Sequence, residues 1–374
     1  MDLDLNDEQQ MLRDLVRDLC TNLSSPETVR KLEDDPTGFS PELWTQLADL
    51  DLIGLLIPEK FGGSGMSLIE GAVVYQEFGR ALASSPHLVS AIFAGDLLAR
   101  CGTDEQQQSW LPRIAKGDAI MSVAWVEPDN GFGPTGVQVR ATEDPSTGQL
   151  VLTGLKRHVA FASAADALLV PVRVGDAPTD IAIVIVDTKA DGLALRQQMT
   201  MASDTQHEAT FTNVRVGAPN VIPGGWGAWA HTLDRAMVLT AAQAIGGAQA
   251  ALDITVQYAK DRVQFDKPLG AFQAISHYLA DAKTAIDGGE VLVYEAAWSG
   301  AEGRSDAPKL AAMAKLFAGQ TYRDTTAMAQ QVHGGIGFTL EADIQLYFRR
   351  AKALQLSWGD DRYCEERIAA ALLD

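Results

Sequence analysis

The stretch Gln331–Asp361, QVHGGIGFTLEADIQLYFRRAKALQLSWGDD, decides how the rest of the chain is read. It opens with a glycine-rich turn, Gly334-Gly335-Ile336-Gly337, between two helix-like segments. It closes at Trp358-Gly359-Asp360, where a second helix breaks. Glycines permit tight turns and let a backbone come close to a ligand. Free amides at the start of a helix bind phosphate. The same glycines also serve simply to stop one helix and start another, so residues elsewhere must choose between the two readings.

The chain has 374 residues, with 47% hydrophobic and a net charge of −19. That length predicts two or three domains and ample core. No apolar run approaches the length of a membrane span, and the acidic start MDLDLNDEQQ is not a secretory signal. Cys20, Cys101 and Cys364 are widely spaced and odd in number, which argues against a disulfide framework and for a reducing cytoplasm. The negative charge disfavours nucleic acid or an anionic membrane as a partner. The six histidines fall into no metal-ligand spacing, so no metal is expected, and no G-x-S-x-G elbow is present.

Outward from the opening stretch, the texture changes twice. Residues from about Asn6 to Gly117 read as helices, with Leu12, Leu15, Val16 and Leu19 at helical spacing in the first. Ser67 and Thr103 are placed to cap helices running to Gly79 and Ala115, and a further helix is expected over Leu88–Cys101. From about Ala119 to Val216, short β-branched runs such as LVLTG, ALLVPVRV, DIAIVIVD and ATFTNVRV alternate with turn signals. They predict an antiparallel sheet. Helices then return over Ala228–Arg262, Phe272–Ala296, Pro308–Gln331 and Leu340–Gln355, predicting a four-helix bundle. The expected fold is therefore α+β multidomain: a helical domain over 1–118, a middle β-barrel or sandwich domain over 119–222, and a helical bundle over 223–374.

This order, with three motifs, resembles the acyl-CoA dehydrogenase family. Arg262-Val263-Gln264-Phe265-Asp266-Lys267-Pro268 is similar to the family's arginine-x-glutamine-phenylalanine-glycine-x-proline, and Phe272-Gln273-Ala274 follows at the family's spacing. Gln331-Val332-His333-Gly334-Gly335-Ile336-Gly337-Phe338 is similar to its glutamine-x-x-glycine-glycine-x-glycine-aromatic turn. Leu52-Ile53-Gly54-Leu55-Leu56-Ile57-Pro58-Glu59 with Phe61-Gly62-Gly63 also fits. The resemblance implies FAD as cofactor and an acyl-CoA thioester as substrate. It implies that the two C-terminal motifs contact the ADP half of an FAD belonging mostly to a neighbouring subunit. Arg262 offers a planar donor set to a diphosphate. Phe265 offers apolar surface, Gln264, Gln273 and Gln331 offer amides, and Gly334 and Gly335 permit close backbone approach. The plain alternative for Arg262 is a solvated helix end paired with Asp261 or Asp266.

The family's reaction removes a proton beside the thioester carbonyl and passes hydride to flavin, and it needs a carboxylate base. In many members that glutamate precedes the glycine matching Gly359, but here the position is Trp358. Other members carry it at the position of Ala236, and a substrate-placing arginine aligns with Met237. In the β module, Glu127-Pro128 is present, but Asn130-Gly131-Phe132-Gly133 replaces the family's glycine-serine-aspartate. His158 and Ala160 stand where relatives have a tryptophan and a threonine against the flavin.

These losses fall together on the chain's own site, whereas the elements lent to a neighbour's FAD are kept, apart from Asp266 for glycine. The resemblance thus implies one subunit of a heteromer, an α2β2 heterotetramer, whose partner supplies the catalytic glutamate and which reduces a flavin electron acceptor. Some bacterial relatives acting on CoA thioesters of steroid side chains are similar in having two unlike subunits, which makes a bulky acyl group the expected substrate. A second expectation is an active homo-oligomer with Asp360, or less directly Asp234, as base, although Asp360-Asp361 also reads as a helix cap. A third is a non-catalytic scaffold that binds acyl-CoA or a partner protein.

Overall fold

The computed structural model describes residues 4–128, 131–202 and 204–373. The N-terminal part is helical: α1 (Asp7–Leu23), α2 (Pro26–Leu32), α3 (Pro41–Asp49), α4 (Leu68–Arg80), α5 (Gly95–Cys101) and α6 (Asp104–Ala115). Local chemistry sets their starts. Asn6, Ser67 and Thr103 each accept a hydrogen bond from the first turn while Gln9, Glu70 or Gln106 reaches back, closing capping boxes. The segment expected as one helix over Leu88–Cys101 is wound as a π-helix over Leu88–Ala94 before α5 begins. Such widened turns accompany functional sites, and here the widened turn carries Leu88 and Val89, which line the cavity described below.

The middle part is an eight-stranded sheet built from β1 (Met121–Val123), β2 (Arg140–Glu143), β3 (Leu150–Ala160), β4 (Ala167–Arg173), β5 (Ile181–Asp187), β6 (Leu193–Gln198), β7 (Gln206–Val216) and β8 (Val221–Ile222). Their order is β6-β7-β3-β2-β4-β5-β8, with β1 on β4. The expectation of a purely antiparallel sheet is corrected. Met121–Val123 of β1 runs parallel to Ala167–Leu169, and Arg140 of β2 pairs in parallel with Arg173. β2 and β3 intervene between β1 and β4, a connection long enough to return the chain in the same direction. β4 is buried along its whole length, as its apolar run requires. Between β1 and β3, Lys156 is fully buried, and its Nζ donates to Glu127 Oε1 at 2.6 Å, Pro171 O at 2.9 Å and Trp125 O at 3.3 Å. Glu127 also accepts the backbone amides of Gln138 and Val139, so this charge pair is fully hydrogen-bonded.

The C-terminal part contains α7 (Gly225–Asp261), α8 (Gln273–Ala301), α9 (Ala307–His333), α10 (Ile344–Leu356) and α11 (Asp361–Leu373). Of the four long helices expected, three are long, at 37, 29 and 27 residues, and α10 has 13. α10 starts at Ile344 rather than Leu340 because the carbonyls of Leu340 and Glu341 are engaged by Arg30 of α2. Among the described residues no helix is long and apolar enough to cross a membrane, and no group of three or more His, Cys, Asp or Glu side chains could hold a metal ion.

Candidate functional site

The two ends of the opening stretch lie in different surroundings. The Trp358 end faces a cavity of about 610 Å³ where the N-terminal helices, the sheet and α10 meet. Its lining includes Tyr75, Phe78, Trp125, His158, Ala160, Trp358 and Asp360. Trp358 sits at φ 56, a left-handed conformation unusual for a bulky residue, and Gly359 follows at φ 98. A Cβ on Gly359 would come within 2.7 Å of the Tyr363 ring.

Two devices hold that turn. Lys315 of α9 is buried, and its Nζ donates to Leu354 O at 2.9 Å, Gly359 O at 3.0 Å and Gln355 O at 3.3 Å. Burial pushes its ammonium down to about 8. Asp360 caps α11: its Oδ1 accepts the Tyr363 amide at 2.9 Å and its carbonyl accepts that of Cys364 at 3.0 Å. The Trp358 indole lies at 5.4 Å, ring centre to ring centre, from Phe93 and at 6.4 Å from Trp125, and both of these contact the buried Trp229. Phe132 extends the group, touching Trp125 at 5.3 Å and Tyr363 at 5.9 Å. At the Trp358 turn the chain thus presents an aromatic wall. This cluster was not foreseen, because Phe93, Trp125 and Trp229 are far apart in sequence. Lys315 was missed too, although a lysine in the alanine-rich run AAMAKLFAG was a visible signal.

The other residues singled out for chemistry divide clearly. Asp234 is not in the cavity lining; its Oδ1 pairs with Arg367 Nη1 at 2.5 Å. Burial raises its pKa against the pull of that arginine. Ala236 and Met237 are fully buried in α7. His158 lies at φ 55 where β3 bulges against β7, and its Nδ1 is 2.8 Å from Gln206 Oε1. The bulge turns the imidazole to the cavity, so His158 is exposed but part of the site. Asn130 lies outside the described residues.

The glycine end faces away from the molecule. Val263–Gln264 and Lys267–Pro268 form a hairpin of two short strands, β9 and β10, around Phe265 and Asp266 at φ 53 and φ 61. Two successive left-handed residues make the tight turn that matches strand twist. Aspartate tolerates that conformation, so the loss of the usual glycine at Asp266 leaves the turn intact. Phe265 is 85% exposed. The side chains of Arg262, Gln264, Gln273 and Gln331 are exposed and make no hydrogen bond or ion pair among the described residues. Asp261 instead accepts from Gln257 at 2.9 Å, which removes the plain ion-pair reading of Arg262.

Gly334 adopts φ 63 and ψ −141, which only glycine visits readily. A Cβ on Gly335 would meet nothing within 4 Å. Nothing in this chain therefore requires Gly335 to be glycine, and the open space above it suits a group from outside. The turn Gly334–Ile336 lies between two helices, as expected: it is a 3-10 turn closing the C-terminal end of α9, eight residues before α10 begins. A phosphate placed there would therefore meet no helix N-terminus.

Residues 224–373 match the family model described as acyl-CoA dehydrogenase, C-terminal domain, and residues 6–118 match acyl-CoA dehydrogenase, N-terminal domain. The Probable acyl-CoA dehydrogenase YngJ of Bacillus subtilis is 33% identical, with 100% of each chain covered. The chain belongs to the acyl-CoA dehydrogenase family. Among solved structures, the ChsE4-ChsE5 complex from Mycobacterium tuberculosis is similar with TM-score 0.91 and 28% identity, covering 100% of this chain and 99% of that one. The Tcur3481-Tcur3483 steroid ACAD variant is similar with TM-score 0.87 and 30% identity, covering 98% of each. The helical, β-sheet and helical arrangement is that of the family's fold. Acyl-CoA dehydrogenases are FAD flavoproteins and oxidoreductases. The outward donor set, with one guanidinium, three unpaired amides and an unobstructed glycine backbone, fits the diphosphate and sugar chemistry of that cofactor.

Proposed function

We propose that this chain is the subunit without a catalytic base in a heteromeric, α2β2 acyl-CoA dehydrogenase that desaturates a bulky acyl-CoA thioester. The observation that carries the reading is Trp358. At the position expected for the base, the chain places an indole stacked into an aromatic wall, and the adjacent Asp360 carboxylate is committed to capping α11. The similarity to ChsE4-ChsE5 and to a steroid ACAD named for two components supports the heteromer and the bulky acyl group. Free Cys20, Cys101 and Cys364 are compatible with a cytoplasmic enzyme.

In this reading Arg262 binds the FAD diphosphate, Gln264, Gln273 and Gln331 orient the ADP portion, and Phe265 covers it from solvent. Gly334 and Gly335 let the backbone lie against it, and all seven residues belong to a C-terminal unit over 223–374. FAD held there would supply a hydride acceptor for the acyl chain and a relay of electrons to a flavin acceptor. The partner subunit supplies the glutamate that removes the proton. The test is to purify this chain alone and with the product of a neighbouring gene. Flavin and acyl-CoA oxidation are expected only in the co-purified assembly. A chain that alone carries stoichiometric FAD and oxidises acyl-CoA sinks the heteromer.

A further inference from the structure

The segment 334–343 carries the glycine backbone of the outward site, yet it lacks regular structure beyond its first turn. Two contacts fix its ends. At its start, His333 stacks on Tyr258 with ring centres 4.3 Å apart and planes 22° apart, and His333 Nδ1 donates to Ala329 O at 2.8 Å. At its far end, Arg30 reaches across from α2. Its Nε donates to Leu340 O at 3.1 Å, its Nη2 to Glu341 O at 3.1 Å, and its Nη1 lies 2.8 Å from Asp343 Oδ1. All three guanidinium nitrogens are spent on one short piece of backbone and its neighbouring carboxylate.

The grip has a structural signature. Asp343 stands at the N-cap of α10 but makes no capping bond, because its carboxylate faces Arg30. Three residues on, Glu33 at the C-cap of α2 pairs with Arg349 of α10, and Arg349 in turn donates to Met201 O. Residues three apart share a helix face. α2 therefore clasps the C-terminal part at two points, and only the Arg30 point touches the segment bearing Gly334 and Gly335. A planar fork that fixes two carbonyls and a carboxylate together restrains position and orientation, which a point charge does not.

We infer that Arg30 is a positioning residue for the outward cofactor site: it holds the segment 334–343 in the form that receives the ADP portion of FAD, without touching FAD itself. This rests on the reading that Arg262, Gly334 and Gly335 receive that portion. Arg30 is part-exposed, so its replacement leaves the core packing of α2 through Val29 in place.

The experiment measures FAD and FMN affinity of the purified native assembly by flavin fluorescence, because FMN lacks the ADP portion. Arg30→Ala is expected to weaken FAD about tenfold while changing FMN by less than about twofold, with assembly size unchanged. Arg30→Lys keeps the charge but not the fork, and is expected to remain about threefold weaker for FAD. Glu33→Gln, which loosens only the other end of α2, is expected to bind FAD as the unaltered protein does. Wild-type FAD affinity in both Arg30 variants overturns the inference, as does an equal loss of FAD and FMN. Arg262→Ala separates the two levels. If it weakens FAD and Arg30→Ala does not, the positioning role alone fails. If neither weakens FAD, the reading of the outward site fails and the inference with it.

Discussion

The two ends of Gln331–Asp361 are built to opposite specifications. At the Gly334 end, polar side chains are left without partners: those of Arg262, Gln264, Gln273 and Gln331 make no hydrogen bond or ion pair among the described residues, and Phe265 is almost bare. At the Trp358 end, little is spare. Lys315 meets three carbonyls, Asp360 caps a helix, and the indole leans on Phe93 and Trp125. Exposed side chains bonded only by solvent are free to take up a ligand or partner, whereas buried polar groups are satisfied within the fold. The contrast teaches that two turns of one stretch can be held in opposite ways, one by packing and internal hydrogen bonds and one left open to solvent.

The largest blow to the contrast falls on Lys315. Lys315→Ala removes the donor shared by three carbonyls and is expected to cost about 3 kcal/mol, read by denaturant unfolding. The same lysine gives a pH signature. Its folded pKa is about 8 against an ordinary 10.5, so between those values the unfolded chain holds a proton that the folded chain does not. Stability therefore rises with pH across that window. Lys156, pushed down to about 8 by burial despite Glu127, adds to the rise. Lys315→Met is expected to flatten the slope only in part; an unchanged slope would show that the Lys315 ammonium is not desolvated in solution.

At the open end, Arg262→Ala is expected to cost about 2 kcal/mol of FAD binding in the assembly, roughly 30-fold, with the unfolding midpoint of the isolated chain unmoved. A stability loss without a binding loss would make Arg262 a structural residue and erase the contrast. Trp358→Ala removes a half-buried ring from the aromatic wall and is expected to destabilise the chain by about 2 kcal/mol, leaving turnover of the assembly unaltered. Asp360→Asn is the smallest change and the sharpest discriminator. Asparagine caps as well as aspartate, so stability should stay within about 0.5 kcal/mol and turnover should not move. A collapse of turnover with intact stability would make Asp360 the base and the cavity active.

Helix starts were legible because Asn6, Ser67 and Thr103 act within one turn of themselves. The strands were legible from their β-branched runs, but the direction of β1 was not, since pairing with β4 depends on residues about forty positions away. The outward residues were legible as motifs because they lie in two short segments. That their side chains have no partner among the described residues was not. By residue type and strand context His158 read more readily as a polar surface residue than as a site residue, and the bulge in β3 turns it to the cavity.

By itself the sequence determined the sequence-local matters: the helical, β and helical order, the outward motif set, and the absence of a carboxylate at Trp358 and Ala236. Each depends on residue type and short spacing, which chain connectivity preserves. Only the tertiary structure decided what surrounds those residues. Arg30 meets Leu340 across 310 positions, Lys315 meets Gly359 across 44, and Phe93 and Trp125 meet Trp358 from two distant parts of the chain, both backed by Trp229. Whether a polar group is spent or spare is fixed by packing between distant segments, and that is the property that separates the two ends of one stretch.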